Sequence, residues 1–189
     1  MTFRFSSKFA AIAAAQLFCA LSAQTRVNPQ AEAIAHFSER VTAYVALQKK
    51  AEGKLPSQKE TNDPERIKTH IARLAERIRT ERSGAKAGDI FKGASEQFRQ
   101  IIRDDAKDRS IRDAFAAMRE VPTRHRPRVN ADYPETAALA TVPPLILTRL
   151  QPLPEGVEYR FLGRDLILRD TKANLIVDVL PGAVPTAGR

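Results

Sequence analysis

The sequence predicts an α+β protein, about four amphipathic helices followed by a small three-stranded antiparallel β-meander. Three observations carry this reading. Up to residue 120 the chain is rich in Ala, Arg, Glu, Lys and Gln, with apolar residues recurring at steps of three and four. Beyond residue 121 the composition shifts to proline and β-branched residues. Between 157 and 180, three strand-like runs, VEYRFLG, RDLILRD and LIVDVL, are separated by turn residues.

The first segment stands apart from that fold. MTFRFSSK carries Arg4 and Lys8 and no acid, residues 9–21 are apolar except for Gln16, and small residues follow at Ala20, Ser22 and Ala23. A charged start, an apolar stretch too short to span a bilayer and a small-residue zone predict a signal peptide over 1–23. The mature chain is therefore expected in the periplasm or secreted. No paired arginines precede the apolar stretch, which favours the general secretory route. Leu17 and Phe18 before Cys19 are too large for a lipoprotein signal. Cleavage removes Arg4, Lys8 and Cys19, which lowers the net charge from +9 to +7 and takes away the one cysteine. A disulfide framework and a thiolate metal site are then excluded. No later apolar run is long enough for a transmembrane segment.

The helical region is expected over 24–120. A first helix at 29–52 has Asn28 as N-cap and Pro29 at its first position. Ile34, Phe37, Val41, Tyr44, Gln48 and Ala51 line one face, and Gly53 is the expected C′ residue. The second begins at Asp63-Pro64, presents Ile67, Ile71, Leu74 and Ile78, and ends by Gly84. An antiparallel pairing of these two is expected. A third helix at 94–107 turns Phe98, Ile101 and Ile102 inward, with Ile90 and Phe91 at its entry. A fourth at 111–120 starts from Ser110 with Asp113 in a capping-box spacing, and buries Ile111, Phe115 and Met118.

Residues 121–156 read as a proline-rich extended linker, with a short helix starting at Pro143 or Pro144. The meander at 157–181 is expected to pack on the helices, because three strands alone need their apolar face covered. Gly163-Arg164 fits a two-residue hairpin and Asn174 a left-handed turn position. Tyr159 and Phe161 share a face, as do Leu166 and Leu168. Residues 182–189 read as a flexible tail.

VNADYP (129–134), TVPPLIL (141–147) and LPEGVEYRFLGRDLILRDTKANLIVDVLP (153–181) resemble the C-terminal part of a family of small exported bacterial proteins of unknown function. GAKAGDIF (84–91) is the most recognisable point of the helical half. The resemblance implies an exported helix-plus-meander protein and no particular activity. The meander is also similar to the end of periplasmic nickel/cobalt-homeostasis proteins, without any ligand residue of theirs.

Candidate chemistry is sparse. His36, His70 and His125 lack a second ligand at metal spacing, so no metal and no cofactor are expected. His36 and His70 face each other only if the first two helices run antiparallel. Asp104, Asp105 and Asp108 stand among Arg103, Lys107, Arg109 and Arg112, which reads as ion pairing on a solvated helix face. Asp165, Asp170 and Asp178 lie on or beside the meander. Asp178 is expected on its solvent face, paired with Arg160 or Arg169 across strands. Ser38 and Ser110 have no base nearby, and neither a nucleophile elbow nor a phosphate loop occurs. Arg66, Arg73, Arg77, Arg79 and Arg82 mix with Glu65, Glu76 and Glu81 on the second helix.

The residues expected to bind a partner are Arg124, Arg126, Arg128 and Tyr133 of the linker, with Tyr159, Arg160 and Asp178 of the meander. The expected function is a non-enzymatic envelope module that binds an envelope protein through a meander edge or the 121–135 segment. The alternatives are a small periplasmic hydrolase or metal-dependent enzyme with its site between helices and sheet, and an electrostatic binder of anionic envelope surfaces. Export argues against a nucleic-acid partner.

Overall fold

The computed structural model describes residues 28–56, 62–120, 126–134 and 142–185, with backbone alone for 117–120. The expected signal peptide, Arg124, His125 and the Met118 side chain lie outside these residues. The chain is α+β, with the strands after the helices. The helices are α1 (Pro29–Gly53), α2 (Pro64–Glu81), α3 (Ser95–Asp105), α4 (Arg109–Glu120) and the short α5 (Pro144–Arg149). The strands are β1 (Val157–Leu162), β2 (Asp165–Asp170) and β3 (Leu175–Leu180), in the antiparallel order β1-β2-β3.

Local chemistry accounts for most helix boundaries. Asn28 Oδ1 accepts from the Gln30 N–H at 3.0 Å, and Asp63 Oδ1 from the Glu65 N–H at 3.0 Å, each ahead of a proline that has no N–H to satisfy. Neither Gly53 nor Gly84 takes the left-handed form expected of a C′ glycine. The Lys54 and Arg82 N–H groups reach back to Ala51 and Arg79, and these tighter bonds satisfy terminal carbonyls without a left-handed residue. The start of α4 also differs from expectation. Asp108, not Ser110, is the acceptor there: its Oδ1 takes the Ser110 N–H at 2.8 Å and hydroxyl at 2.5 Å. The charged carboxylate outcompetes the neutral hydroxyl as acceptor.

The two long helices do not match ends as an antiparallel pair would. Lys54, at the end of α1, pairs at 2.7 Å with Glu81 in the last turn of α2, and the Arg82 guanidinium sits 5.0 Å from the centre of the Tyr44 ring. Contact is thus through their C-terminal halves, which leaves Ile67 near the start of α2 40% exposed.

The core runs from the helices onto one face of the sheet. Phe37 of α1, Phe91 of the turn before α3 and Phe98 of α3 pack with ring centres 4.8–5.5 Å apart. Phe98 continues to Tyr159, and Phe115 of α4 meets Phe161 edge-on at 5.5 Å. Leu166, Leu168, Leu175 and Val177 complete this face. The register of the first hairpin is as its turn predicts, with Leu162 opposite Asp165 across Gly163-Arg164, and Gly163 and Asn174 both take positive φ.

The second face of the sheet is buried too. Leu162, Ile167, Ile176 and Val179 pack there with Tyr133, Val129 and Ala131. Part of the expected linker is therefore a docked element. The Asn130 N–H donates to Ile176 O at 2.9 Å, the Ile176 N–H to Ala131 O at 2.9 Å, and the Tyr133 N–H to Asn174 O at 2.8 Å, so residues 130–133 line the outer edge of β3. Asn130, at φ +64°, is clasped by α2: its Nδ2 donates to Arg82 O, while Arg79 Nε donates to its carbonyl. The expected flexible tail does not begin at 182, because Ala183 and Val184 are buried and the Val184 N–H donates to Arg164 O. Among the described residues no helix is long and apolar enough to cross a membrane.

Candidate binding site at the β1 edge

With 130–133 along β3, the sheet has one uncovered side: no described segment pairs with the outer edge of β1. The phase of that edge follows from its neighbours. The Thr171 N–H bonds Gly156 O, which makes 156 and 171 a hydrogen-bonded pair and directs the main-chain groups of Glu158, Arg160 and Leu162 toward β2. Those of Tyr159 and Phe161 then point outward. Beside this edge lies a cavity of about 300 Å³, walled by Val142, Leu147, Leu153, Tyr159, Glu158 and Arg160. Leu147 of α5 is 43% exposed at its mouth.

Side chains alternate along β1. Tyr159 goes to the helix side, where it is buried and donates its hydroxyl to Gln151 O at 2.9 Å. Burial pushes that hydroxyl far above its usual range. Glu158 and Arg160 go to the other side. Arg160 donates to Glu158 from Nε at 2.8 Å and from Nη2 at 2.9 Å, and Arg169, opposite Glu158 on β2, adds Nη1 at 2.9 Å. Burial works against the Glu158 carboxylate, but the two guanidiniums prevail and hold its carboxyl below the usual glutamate range. A carboxyl lowered by folding stabilises the protein above its unfolded pKa, and that contribution is lost as pH falls through the folded value. Glu158→Gln is therefore expected to flatten part of the loss of stability below about pH 4.3, read from urea midpoints across the acid range.

Tyr133 joins the same face. Its side chain folds back onto the core, with its ring centre 4.4 Å from the Arg169 guanidinium and 5% of its surface exposed. Arg126 and Arg128 are exposed in the approach to this segment.

Asp178 is not where strand alternation places it. It is fully buried on the helix side, where its carboxylate accepts from the N–H groups of Gly88, Ile90, Phe91 and Val179 at 2.7–3.0 Å. The cause is a β-bulge: Arg169 pairs with Ile176 and Leu168 with Asp178, which leaves Val177 extra and turns both Val177 and Asp178 to one face. Asp178 thus anchors the turn before α3 and does not pair with Arg160 or Arg169. Burial pushes its carboxyl up, against the pull of the four N–H donors.

Asp105 also departs from the solvated-face reading. It is buried and paired with Arg149 of α5, whereas Asp104 does pair locally with Lys107 at 2.7 Å. Asp165 accepts from the Gly182 N–H at 2.8 Å. Asp170, fully buried, accepts from Tyr44 and Gln48 of α1.

His36 is exposed on α1, where a hydrogen bond from its ring to the Glu39 carboxylate raises its pKa, while Tyr133 and Asp178 sit on opposite faces of the sheet. Ser38 and Ser110 spend their hydroxyls on Ile34 O and Asp108. Among the described residues no group of three His, Cys, Asp or Glu is placed to hold a metal ion. Of the basic residues of α2, Arg79 and Arg82 hold the 130–132 segment, Arg79 through Asp132 at 2.5 Å. Arg73 and Arg77 line a second hollow of about 460 Å³ with Lys54, shared with Glu76 and Glu81.

Searches against family models, curated proteins and solved structures return no significant match to the chain.

Proposed function

We propose that this is an exported, non-enzymatic binding module of the cell envelope that takes an extended segment of a partner protein along the outer edge of β1. Its carrying observation is the asymmetry of the sheet: the β3 edge is lined by residues 130–133, whereas among the described residues nothing pairs with the β1 edge, beside a cavity of about 300 Å³ lined by apolar and charged side chains. A strand added there gains main-chain hydrogen bonds from Tyr159 and Phe161, and alternate side chains enter the cavity past Leu147. The charged, apolar and small-residue pattern of residues 1–23 supports export, as does the resemblance of 129–181 to small exported bacterial proteins.

Selection of a random peptide display library on the mature protein tests the reading. Selected peptides are expected to lose roughly tenfold or more in affinity on Leu147→Asp, with the fold retained because Leu147 is 43% exposed. Peptides that bind both proteins equally would overturn it.

A further inference from the structure

We infer that the partner segment carries an Asp or Glu side chain, whose carboxylate is received by Arg160 and Tyr133 on the face of the sheet away from the helices. This rests on the β1-edge reading and gives it a chemistry. Glu158 accepts from Arg160 Nε and Nη2 and from Arg169 Nη1, so one carboxylate serves two guanidiniums and leaves the cluster with a net positive charge. Arg169 Nη2 donates to Asn174 Oδ1 at 2.7 Å. Three atoms of the cluster are buried without a hydrogen-bond partner among the described residues: Arg160 Nη1, Arg169 Nε and the Tyr133 hydroxyl. Each of them can donate. A buried cluster of unused donors with surplus positive charge is complementary to an anionic acceptor.

The cluster adjoins the edge, since Arg160 forms part of the wall of the cavity beside β1. The Tyr133 ring lies 4.4 Å from the Arg169 guanidinium, which shares Glu158 with Arg160, so its hydroxyl and Arg160 Nη1 belong to one cluster. The outward main-chain groups of Tyr159 and Phe161 match a polypeptide and not a lipid or a sugar polymer. The single surplus charge matches a carboxylate better than a doubly charged phosphate.

Calorimetry with the mature protein and short peptides alternating threonine and valine tests this. The peptides are acetylated and amidated, with Glu, Gln or phosphoserine at the centre. The Glu peptide is expected to bind roughly tenfold or more tightly than the Gln peptide. Arg160→Gln and Tyr133→Phe should each bring that ratio toward one. Tyr133→Phe should keep its unfolding midpoint, because the hydroxyl has no partner to lose among the described residues; it decides the matter alone if Arg160→Gln fails to fold. Equal binding of Glu and Gln peptides overturns the carboxylate receptor and leaves the edge reading standing. Tighter binding of the phosphoserine peptide, or its equal displacement by phosphatidylglycerol vesicles, overturns it in favour of a phosphate ligand. If no peptide binds, both readings fall.

Discussion

Asp178→Ala is expected to destabilise the protein by roughly 5 kcal/mol, since each buried donor left unpaired costs about 1–3 kcal/mol. Four N–H groups lose their acceptor at once, three of them in the turn that carries Phe91. That turn positions Phe91 against Phe37 and Phe98, so the loss spreads into the aromatic centre of the core. A single domain has only about 5–15 kcal/mol in hand, which makes the alanine variant marginal. Asp178→Asn should fall between, because it keeps one carbonyl oxygen and removes a charge whose burial is unfavourable. Urea unfolding followed by circular dichroism ranks the three. Equal stability of the aspartate and alanine forms would contradict the anchoring role.

Asp170→Ala is the second large effect, also roughly 5 kcal/mol on the same reasoning. Its Oδ2 accepts from the Tyr44 hydroxyl at 2.5 Å and Gln48 Nε2 at 2.7 Å, and its Oδ1 from the N–H groups of Lys172 and Ala173 at 2.8 Å. One carboxylate thus fastens α1 to the β2–β3 turn. Burial, then the Asp170 charge, pushes the Tyr44 hydroxyl far above its usual range, so it remains a donor throughout the working pH range. A double-mutant cycle of Asp170→Ala with Tyr44→Phe should show a coupling of about 1–3 kcal/mol. Additive losses would mean that the two side chains act independently.

Much of this fold was legible in the sequence, and the reasons are local. Asn28-Pro29 and Asp63-Pro64 mark helix starts because a polar acceptor and a residue without an N–H suit the same turn. Gly163-Arg164 fixes the first hairpin through the one residue free to adopt its backbone angles. What stayed hidden depends on contacts distant in sequence. VNADYP has no period that announces its place along β3, and the ends of α1 and α2 give no sign of how the helices cross.

Asp178 is the instructive miss. Alternation along LIVDVL puts it on the face of Ile176, with Arg160 and Arg169, and one bulge at Val177 reverses that parity. A signal was nevertheless present. Five of the six residues of β3 are apolar, a pattern of strands covered on both faces, where any Asp must be buried with partners. On β1, by contrast, the alternation of Tyr159 with Arg160 was readable. That Tyr133 would meet Arg169 there was not, because 133 reaches the sheet through the pairing of its own backbone with β3.

Amide hydrogen exchange of the mature protein, free and with a selected extended peptide, bears most directly on the β1 edge as the binding surface. Fast exchange is expected at Tyr159 and Phe161 in the free protein, and strong protection of both when the peptide is bound, with little change at Ile176 or along α2. Protection confined to Arg73, Arg77 and their neighbours on α2, with Tyr159 and Phe161 still exchanging fast, would contradict it.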